Sequence, residues 1–527
     1  MDETTNPIPQ QEAPAPVLRN YTTLEACFAW FAFFAGYIIC RVFPVIVDPF
    51  GGFLLVLMLF TVTAIVLKVR KAAFSPASLL ASASAIVCSA ALFVSSNPAL
   101  QFFSYIYALL TYCYFVYAAT GNSLEKGLSN YLLLDYARAI FILPFASAKQ
   151  LFKAMSSGKA QASAELIKKV LTGLAIAVLP TMIVLALLSY DSSFSNLLEN
   201  IFDFDSFDLV SHIISLFCAI PLGMYIFGLF ISSVEKKCAI TWTKDEFSAS
   251  VQRKQIAPLI TILSAVIPVL FLYVVFFISQ WQYYISGFTG VLPEDFSYAQ
   301  YARNGFFELC TVSFINLVIL LAVTLFTRRQ AKLSSVFLKA LSIVFSLFTL
   351  ILIATAVAKL VMYINYYGLT PKRVYAASFM IALTAIFLLI IIKQFVNRLR
   401  VAAVSTILCV VLFTALSLCN ADGLIARYNV NRYINGTLAT VDLEVMDDLG
   451  DAAIPELVRL SKVLAVQEDG NIQLRQQLNN MLRREVEDMR EREDDLFSFT
   501  IPGARAEKAL REYNIQQTML NKKEGTT

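Results

Sequence analysis

The chain has 527 residues, of which 58% are hydrophobic and only 15% charged, with a mean hydropathy of +0.66. Soluble domains run near about 45–50% apolar and 25% charged, so the balance excludes an ordinary soluble enzyme, while 42 Phe and 23 Tyr exclude disorder. The net charge of +4 is unevenly held: from Asn420 onward there are 14 basic and 19 acidic residues, a net −5, which leaves +9 on the part before it.

In chain order, residues 1–20 are rich in Pro and Glu/Gln without an apolar core, and read as a short disordered arm rather than a cleavable signal peptide. A spanning helix needs about 20 apolar residues, and eleven runs approach that length. They are Leu24 to Val42, Gly51 to Leu67, Leu79 to Val94, Leu100 to Ala119, Val170 to Leu188, Leu209 to Ser232, Leu259 to Ser279, Phe306 to Phe326, Val336 to Ile364, Val374 to Phe395, and Val401 to Cys419. The second, third and fifth are the shortest. The predicted fold class is all-α: a polytopic transmembrane helix bundle of about 11 spans with a C-terminal helical extracytoplasmic domain. Its parts are a cytoplasmic arm (1–20), a four-helix membrane part (21–119), a cytoplasmic interfacial segment (120–169), a seven-helix membrane part (170–419) and a tail (420–527).

Orientation follows from Lys and Arg, which concentrate in short cytoplasmic loops. They cluster after every even-numbered run: Lys68, Arg70 and Lys71; seven between Lys126 and Lys169; five between Lys236 and Lys254; Arg328, Arg329 and Lys332; Arg398 and Arg400. The loop between runs five and six instead carries Asp191, Glu199, Asp203, Asp205 and Asp208. Lys372 and Arg373 alone dissent. The N-terminus is thus expected in the cytoplasm and the tail outside it, in a bacterial cytoplasmic (inner) membrane.

Three pieces do not span. In 130–155, Asp135, Arg138, Pro144 and Lys149 interrupt the apolar residues, which suggests a helical hairpin lying on the anionic leaflet or packed on the bundle. In 281–304, aromatic residues precede Pro293, Glu294 and Asp295, a helix start. The tail shows helical apolar faces at Leu424, Ile425, Tyr428, Val430 and Tyr433, at Leu443, Val445, Met446 and Leu449, and at Ile454, Leu457, Leu460 and Val463, enough for three to five helices. The polar run from Arg483 to Asp495 reads as a solvated face.

Ionisable groups inside spans are costly and mark candidate sites. Glu308 lies early in run eight, after Arg303, and Asn316 falls within about 80° of it on the helix. Lys359 lies late in run nine. These four form a candidate intramembrane polar site, either an ion or proton relay or an interfacial acid satisfied by Arg303. The second account is favoured, with Lys359, like Lys393, snorkelling to a membrane face. At the outer face Arg41 and Asp48 bracket a tight Pro/Gly turn. His212 opens run six with Asp208 four residues earlier, a helix-start pair. One His and nine Cys without ligand or CxxC spacing give no metal or disulfide framework. Nucleotide-binding and hydrolase motifs are absent. No catalytic, cofactor-binding or metal residue is assigned.

The stretch Phe296 to Leu309 (FSYAQYARNGFFEL) and the helix through Asn316 resemble a signature of bacterial multi-pass membrane proteins grouped as a domain of unknown function, forty-one seventy-three, and are similar to the neighbouring family forty-one fifty-three. The resemblance continues through 420–457, with its Asn/Asp entry, Ile-Ala-Arg-Tyr-Asn helix and Asp-Ala-x-x-Pro turn, and departs at Asn304, where a second basic residue is expected. It covers residues 200 to 460, roughly, with boundary error. It implies a bacterial polytopic membrane protein with an extracytoplasmic helical appendix, and no activity.

Three function classes compete. The favoured one is a non-enzymatic envelope component whose tail senses or docks an envelope protein or wall component, since the distinctive polar content lies in the tail and outer loops. The others are an ion or small-molecule transporter, and a membrane enzyme acting on a lipid-linked substrate. The expected partner of the bundle is the lipid bilayer. The basic loops are explained by topology, so nucleic acid is not expected.

Overall fold

The computed structural model describes residues 21–42, 48–125, 130–155, 206–236, 255–279, 306–327, 332–466, 472–491 and 496–524, with a few single positions between them. Among the described residues the helices are α1 (Thr23–Val42), α2 (Pro49–Val69), α3 (Pro76–Ser89), α4 (Ala91–Val94), α5 (Pro98–Ala119), α6 (Leu132–Phe141), α7 (Leu143–Ala146), α8 (Gln150–Met155), α9 (Ser206–Val234), α10 (Leu259–Ser279), α11 (Phe306–Phe326), α12 (Lys332–Tyr367), α13 (Pro371–Phe395) and α14 (Val401–Leu418). The tail adds α15 (Ala421–Ile434), α16 (Leu443–Asp448), α17 (Ile454–Val466), α18 (Ile472–Glu491) and α19 (Ile501–Glu524).

Ten helices among the described residues are long and apolar enough to cross a membrane, α3 and α4 counting together as Pro76–Val94. The short second and third runs are both helical. The fifth run, Val170 to Leu188, lies almost wholly outside the described residues, as do the stretch 281–304 and the arm 1–20.

Helix starts are written locally. Proline opens α2, α3, α5 and α13, where its missing N–H costs nothing. Thr22 and Glu25 form a capping box on α1: the Thr22 N–H donates to Glu25 Oε2 at 2.8 Å and the Glu25 N–H to Thr22 Oγ1 at 3.4 Å. Such local closure matters because a bilayer offers no water to an orphaned amide.

The chain forms two compact units, Met1–Arg41 with Pro144–Ile231, and Val42–Leu143 with Ser232–Thr527. In the first, small residues bring α1 and α9 into backbone contact. A Cβ added at Gly36 would lie 2.9 Å from the Ala219 carbonyl oxygen, and one at Gly223 3.0 Å from Phe33 Cα. Ala32 and Gly36 on one helix and Ala219 and Gly223 on the other are each four residues apart, the small-xxx-small spacing of close membrane packing.

In the second unit α2 to α5 pack with α14, and α10 to α13 around Val266, Leu309, Phe345, Ile353, Met380 and Phe387. Thr63 of α2 and Tyr112 of α5 share a buried hydrogen bond of 2.8 Å. Helix α6 does not offer its charges to the lipid. Asp135 and Arg138 are buried with Leu132 and Ala139, Tyr136 stacks on Tyr114 at 4.4 Å, and Leu133 and Phe141 are exposed. The expectation that Arg138 suits an anionic leaflet is therefore corrected: the charged face turns inward and the apolar one outward. The reason is Tyr117, which supplies the buried acid with a donor.

Helix α12 has 36 residues, roughly 54 Å of rise, more than crossing about 30 Å of hydrocarbon requires. Its C-terminal end provides a handle for the tail. The five tail helices surround one core built from Ile425, Val430, Met446, Leu449, Leu457, Leu460, Leu478, Leu482 and Leu510, with Leu369 and Val374 of the α12–α13 corner packed against it. Leu424, expected on the apolar face of α15, is exposed; Ala421, Ala426 and Asn429 take the buried positions instead. Arg483, Arg484, Glu487, Asp488 and Arg490 are exposed, as a solvated face requires.

Candidate functional site

Asn316 is fully buried on α11 and joins three helices. Its Oδ1 accepts from the Tyr273 hydroxyl of α10 at 2.7 Å, and its Nδ2 donates to Thr349 Oγ1 of α12 at 2.9 Å. Thr349 in turn donates to the Phe345 carbonyl at 2.8 Å. This closed chain is interhelical glue, the role polar side chains take where lipid supplies no hydrophobic force between helices.

Lys359 is 0% exposed on α12. Snorkelling is thereby corrected: its head is enclosed in protein rather than drawn to water. It lies ten residues beyond Thr349, roughly 15 Å along the helix and about 80° around it, so it does not share the Asn316 network. Lys393 does reach a helix end, donating to the carbonyls of Asn397 and Leu399 at 2.6 and 2.8 Å. The side chains of Glu308 and Arg303 lie outside the described residues.

Of the outer-face candidates, Arg41 ends α1 in the first unit and Asp48 precedes α2 in the second. His212 Nδ1 pairs with the Tyr37 hydroxyl at 2.6 Å, the rings inclined by 14°. Asp208, its expected partner, has its side chain outside the described residues.

A further buried polar cluster in the second unit lies where the tail meets the ends of the membrane helices. Asn97 caps α5, its Oδ1 accepting the Leu100 N–H at 3.1 Å, so its amide NH2 is left to donate. It lies beside Asp422, an acid 2% exposed in the first turn of α15, and beside Tyr375 of α13. Burial pushes the Asp422 carboxyl above its usual range, and the nearby Asn97 amide opposes that. Oδ1 of Asp422, Oδ1 of Asn420 and Oγ of Ser96 are buried and have no hydrogen-bond partner among the described residues. Gln101 satisfies the nearby backbone by donating to the carbonyls of Leu92 and Ser95 at 2.8 and 2.7 Å. Ser104 and Ser417 tie α5 to α14 at 3.4 Å.

Beside this cluster the tail is clamped at two further places. Asn429 of α15 accepts the Leu369 N–H at 2.7 Å and donates to the Leu369 carbonyl at 2.8 Å, reading the turn as a strand would read its neighbour. Gly368 there has φ +79, and a Cβ on it would lie 2.5 Å from Asn429 Oδ1, so glycine is required. Arg432 donates to the Ile364 and Asn365 carbonyls at 3.2 and 3.0 Å, capping the end of α12. Arg373 donates to the Gly368 carbonyl and covers the Tyr363 ring at 4.0 Å. Its charge closes this turn, which accounts for a cation that dissents from the loop pattern. At the second clamp the Phe497 carbonyl accepts the Phe50 and Gly51 N–H groups at 3.0 and 3.3 Å, capping α2.

With this geometry in view, the comparisons give one match. The family described as a domain of unknown function, DUF4153, covers residues 82–460. The chain belongs to the DUF4153 family. It is the second of the two families that the sequence resembles, and it reaches further toward the N-terminus than the quoted motifs, taking in all of α5 and most of α3. The Asn97, Asn316, Lys359, Asp422 and Asn429 sites all fall inside the matched residues. Neither a curated protein nor a solved structure matches the chain. The protein is thus an integral, multi-pass DUF4153 membrane protein.

Sequence reasoning missed Asp422 and Asn97. An acid in a polar segment and an asparagine before a proline are unremarkable locally. The available signal was the Asn/Asp entry of the family-like segment, directly after the last span.

Proposed function

We propose that this DUF4153 protein is a non-enzymatic component of the bacterial envelope, in which the C-terminal helical domain lies outside the cytoplasm, docks an envelope partner, and passes its occupancy to the membrane helices. The observation that carries this reading is the double clamp: α15 holds the α12–α13 corner through Asn429 and Arg432, and the Phe497 carbonyl holds the start of α2. A domain hydrogen-bonded to the backbone of two membrane helices, α2 and α12, and of the turn after α12 cannot shift without moving them. The Asn316 network supports an anchoring role, since its hydrogen bonds are spent between helices. The positive-inside pattern supports the placement of the tail.

The test is site-directed labelling in intact cells with a membrane-impermeant maleimide, in a cysteine-free background. Glu487→Cys on α18 should react without permeabilisation, and Lys68→Cys at the end of α2 only after it. Reversed reactivity would overturn the extracytoplasmic docking reading.

A further inference from the structure

The tail is acidic overall, yet one groove on it inverts that sign. Helices α17 and α19 pack side by side, and a cavity of about 240 Å³ lies between them. Each helix contributes a stripe with i, i+3, i+4, i+7 spacing. On α17 the stripe runs from Pro455 through Val458 and Arg459 to Lys462; on α19 it runs from Arg505 through Lys508 and Ala509 to Glu512. The apolar members narrow the groove and the polar ones rim it. Four cations and one carboxylate give the lining a formal +3.

The cations are differently prepared. Arg459 is fixed: its Nε donates to Glu456 Oε2 and its Nη2 to Asn431 Oδ1, both at 2.6 Å. A guanidinium has five N–H donors, so the remaining ones are presented by a head already held in place. Lys462, Arg505 and Lys508 are exposed and make no ion pair among the described residues. Like charges gathered on two facing helices repel one another, a cost that an anion between them would relieve.

We infer that this groove binds a phosphate-bearing group, a phosphomonoester or pyrophosphate of headgroup size. This deepens the docking reading, and rests on it, by naming what the tail recognises. The cavity equals about eight water molecules' share of liquid volume, which suits a phosphate with a small substituent. A dianion matches the surplus of positive charge, and Arg459 and Arg505 can each meet phosphate oxygens with two parallel N–H donors. Lys462, Arg505 and Lys508 lie beyond the residues matched by the family.

The experiment uses the full chain in detergent, titrated calorimetrically with inorganic pyrophosphate at moderate salt. Saturable binding is expected, weakened about tenfold or more in the Lys462→Gln/Lys508→Gln variant. It should be unchanged in Arg475→Gln/Arg490→Gln, which removes the same charge from exposed positions on α18. A parallel arm measures flotation of the protein, reconstituted in phosphatidylcholine nanodiscs, with vesicles of phosphatidylcholine and phosphatidic acid, whose headgroup is a phosphomonoester. Pyrophosphate binding alone supports the groove and assigns it a soluble phosphate; vesicle binding that pyrophosphate displaces supports it and assigns a lipid headgroup. Binding in neither arm, or equal loss in both variants, overturns the inference. Binding to the purified chain does not depend on which side of the membrane the tail faces, so this failure and a failure of the labelling test are separable.

Discussion

At one end of α5 the Tyr117 hydroxyl donates to Asp135 at 3.0 Å; at the other, the Asn97 amide lies beside Asp422. The two partners stand twenty residues apart, roughly 30 Å along one helix and thus about one hydrocarbon thickness. Both acids are 2% exposed. Asp135 also accepts the Leu124 N–H at 3.4 Å and has the Arg138 charge beside it, and burial still holds its carboxyl up at about 6. Asp422 has no such cation among the causes acting on it, and one of its oxygens goes unpartnered among the described residues. Burial alone thus does not tell a structural acid from a candidate site. The completeness of the shell around it does.

The comparison breaks most visibly if the Asp135 shell is opened. Arg138→Leu leaves an acid with neutral donors only, and should cost about 3 to 5 kcal/mol where the removed partner compensated a buried charge. Thermal unfolding of the detergent-solubilised protein at pH 8 should show the drop, and adding Asp135→Asn should restore most of it. An unchanged melting temperature would mean that Arg138 does not compensate Asp135.

Next in size is a pH effect. The folded carboxyl of Asp135 stands at about 6 against the ordinary 3.8, so between those values the folded protein holds a proton that the unfolded chain has released. Stability from this group is therefore full below about 4, falls as pH rises to about 6, and is flat above, by about 3 kcal/mol in all. The Asp135→Asn variant should lose that slope, and a slope of the opposite sign would refute the burial argument.

At the other end, Asn97→Ala removes the cap of α5 and the amide beside Asp422, and should lower stability by about 2 kcal/mol. The smallest change sharpens the contrast in sign. Asp422→Asn relieves a buried carboxylate with an unpartnered oxygen and should raise stability by about 1 kcal/mol. A fall comparable to that of Asn97→Ala would show that Asp422 is structural and remove it as a candidate site.

Much of this architecture is legible in the sequence because apolar run length is a direct reading of bilayer thickness. Ten of the eleven runs correspond to described helices, and Asn316 and Lys359 stand out because polar groups are rare in such runs. Asp135 and Arg138 were visible as interruptions, but their inward turn depends on Tyr117, a contact with another helix that no local pattern encodes. Asn429 is an ordinary polar residue until the Leu369 turn, sixty positions earlier, is brought against it. The groove on the tail needs the relative placement of α17 and α19; in sequence its cations are scattered among more numerous acids.

The Phe497 carbonyl has a consequence for how the molecule is made. The first amides of α2 receive their acceptor from a residue far downstream of them in the chain, translated long after the helix itself. Until the ribosome has delivered the loop before α19, those N–H groups must be served by headgroups, water or an insertion factor. The entrance of α2 is thus completed long after the helix is made, and a nascent chain arrested within α18 would carry an α2 whose entrance is still open.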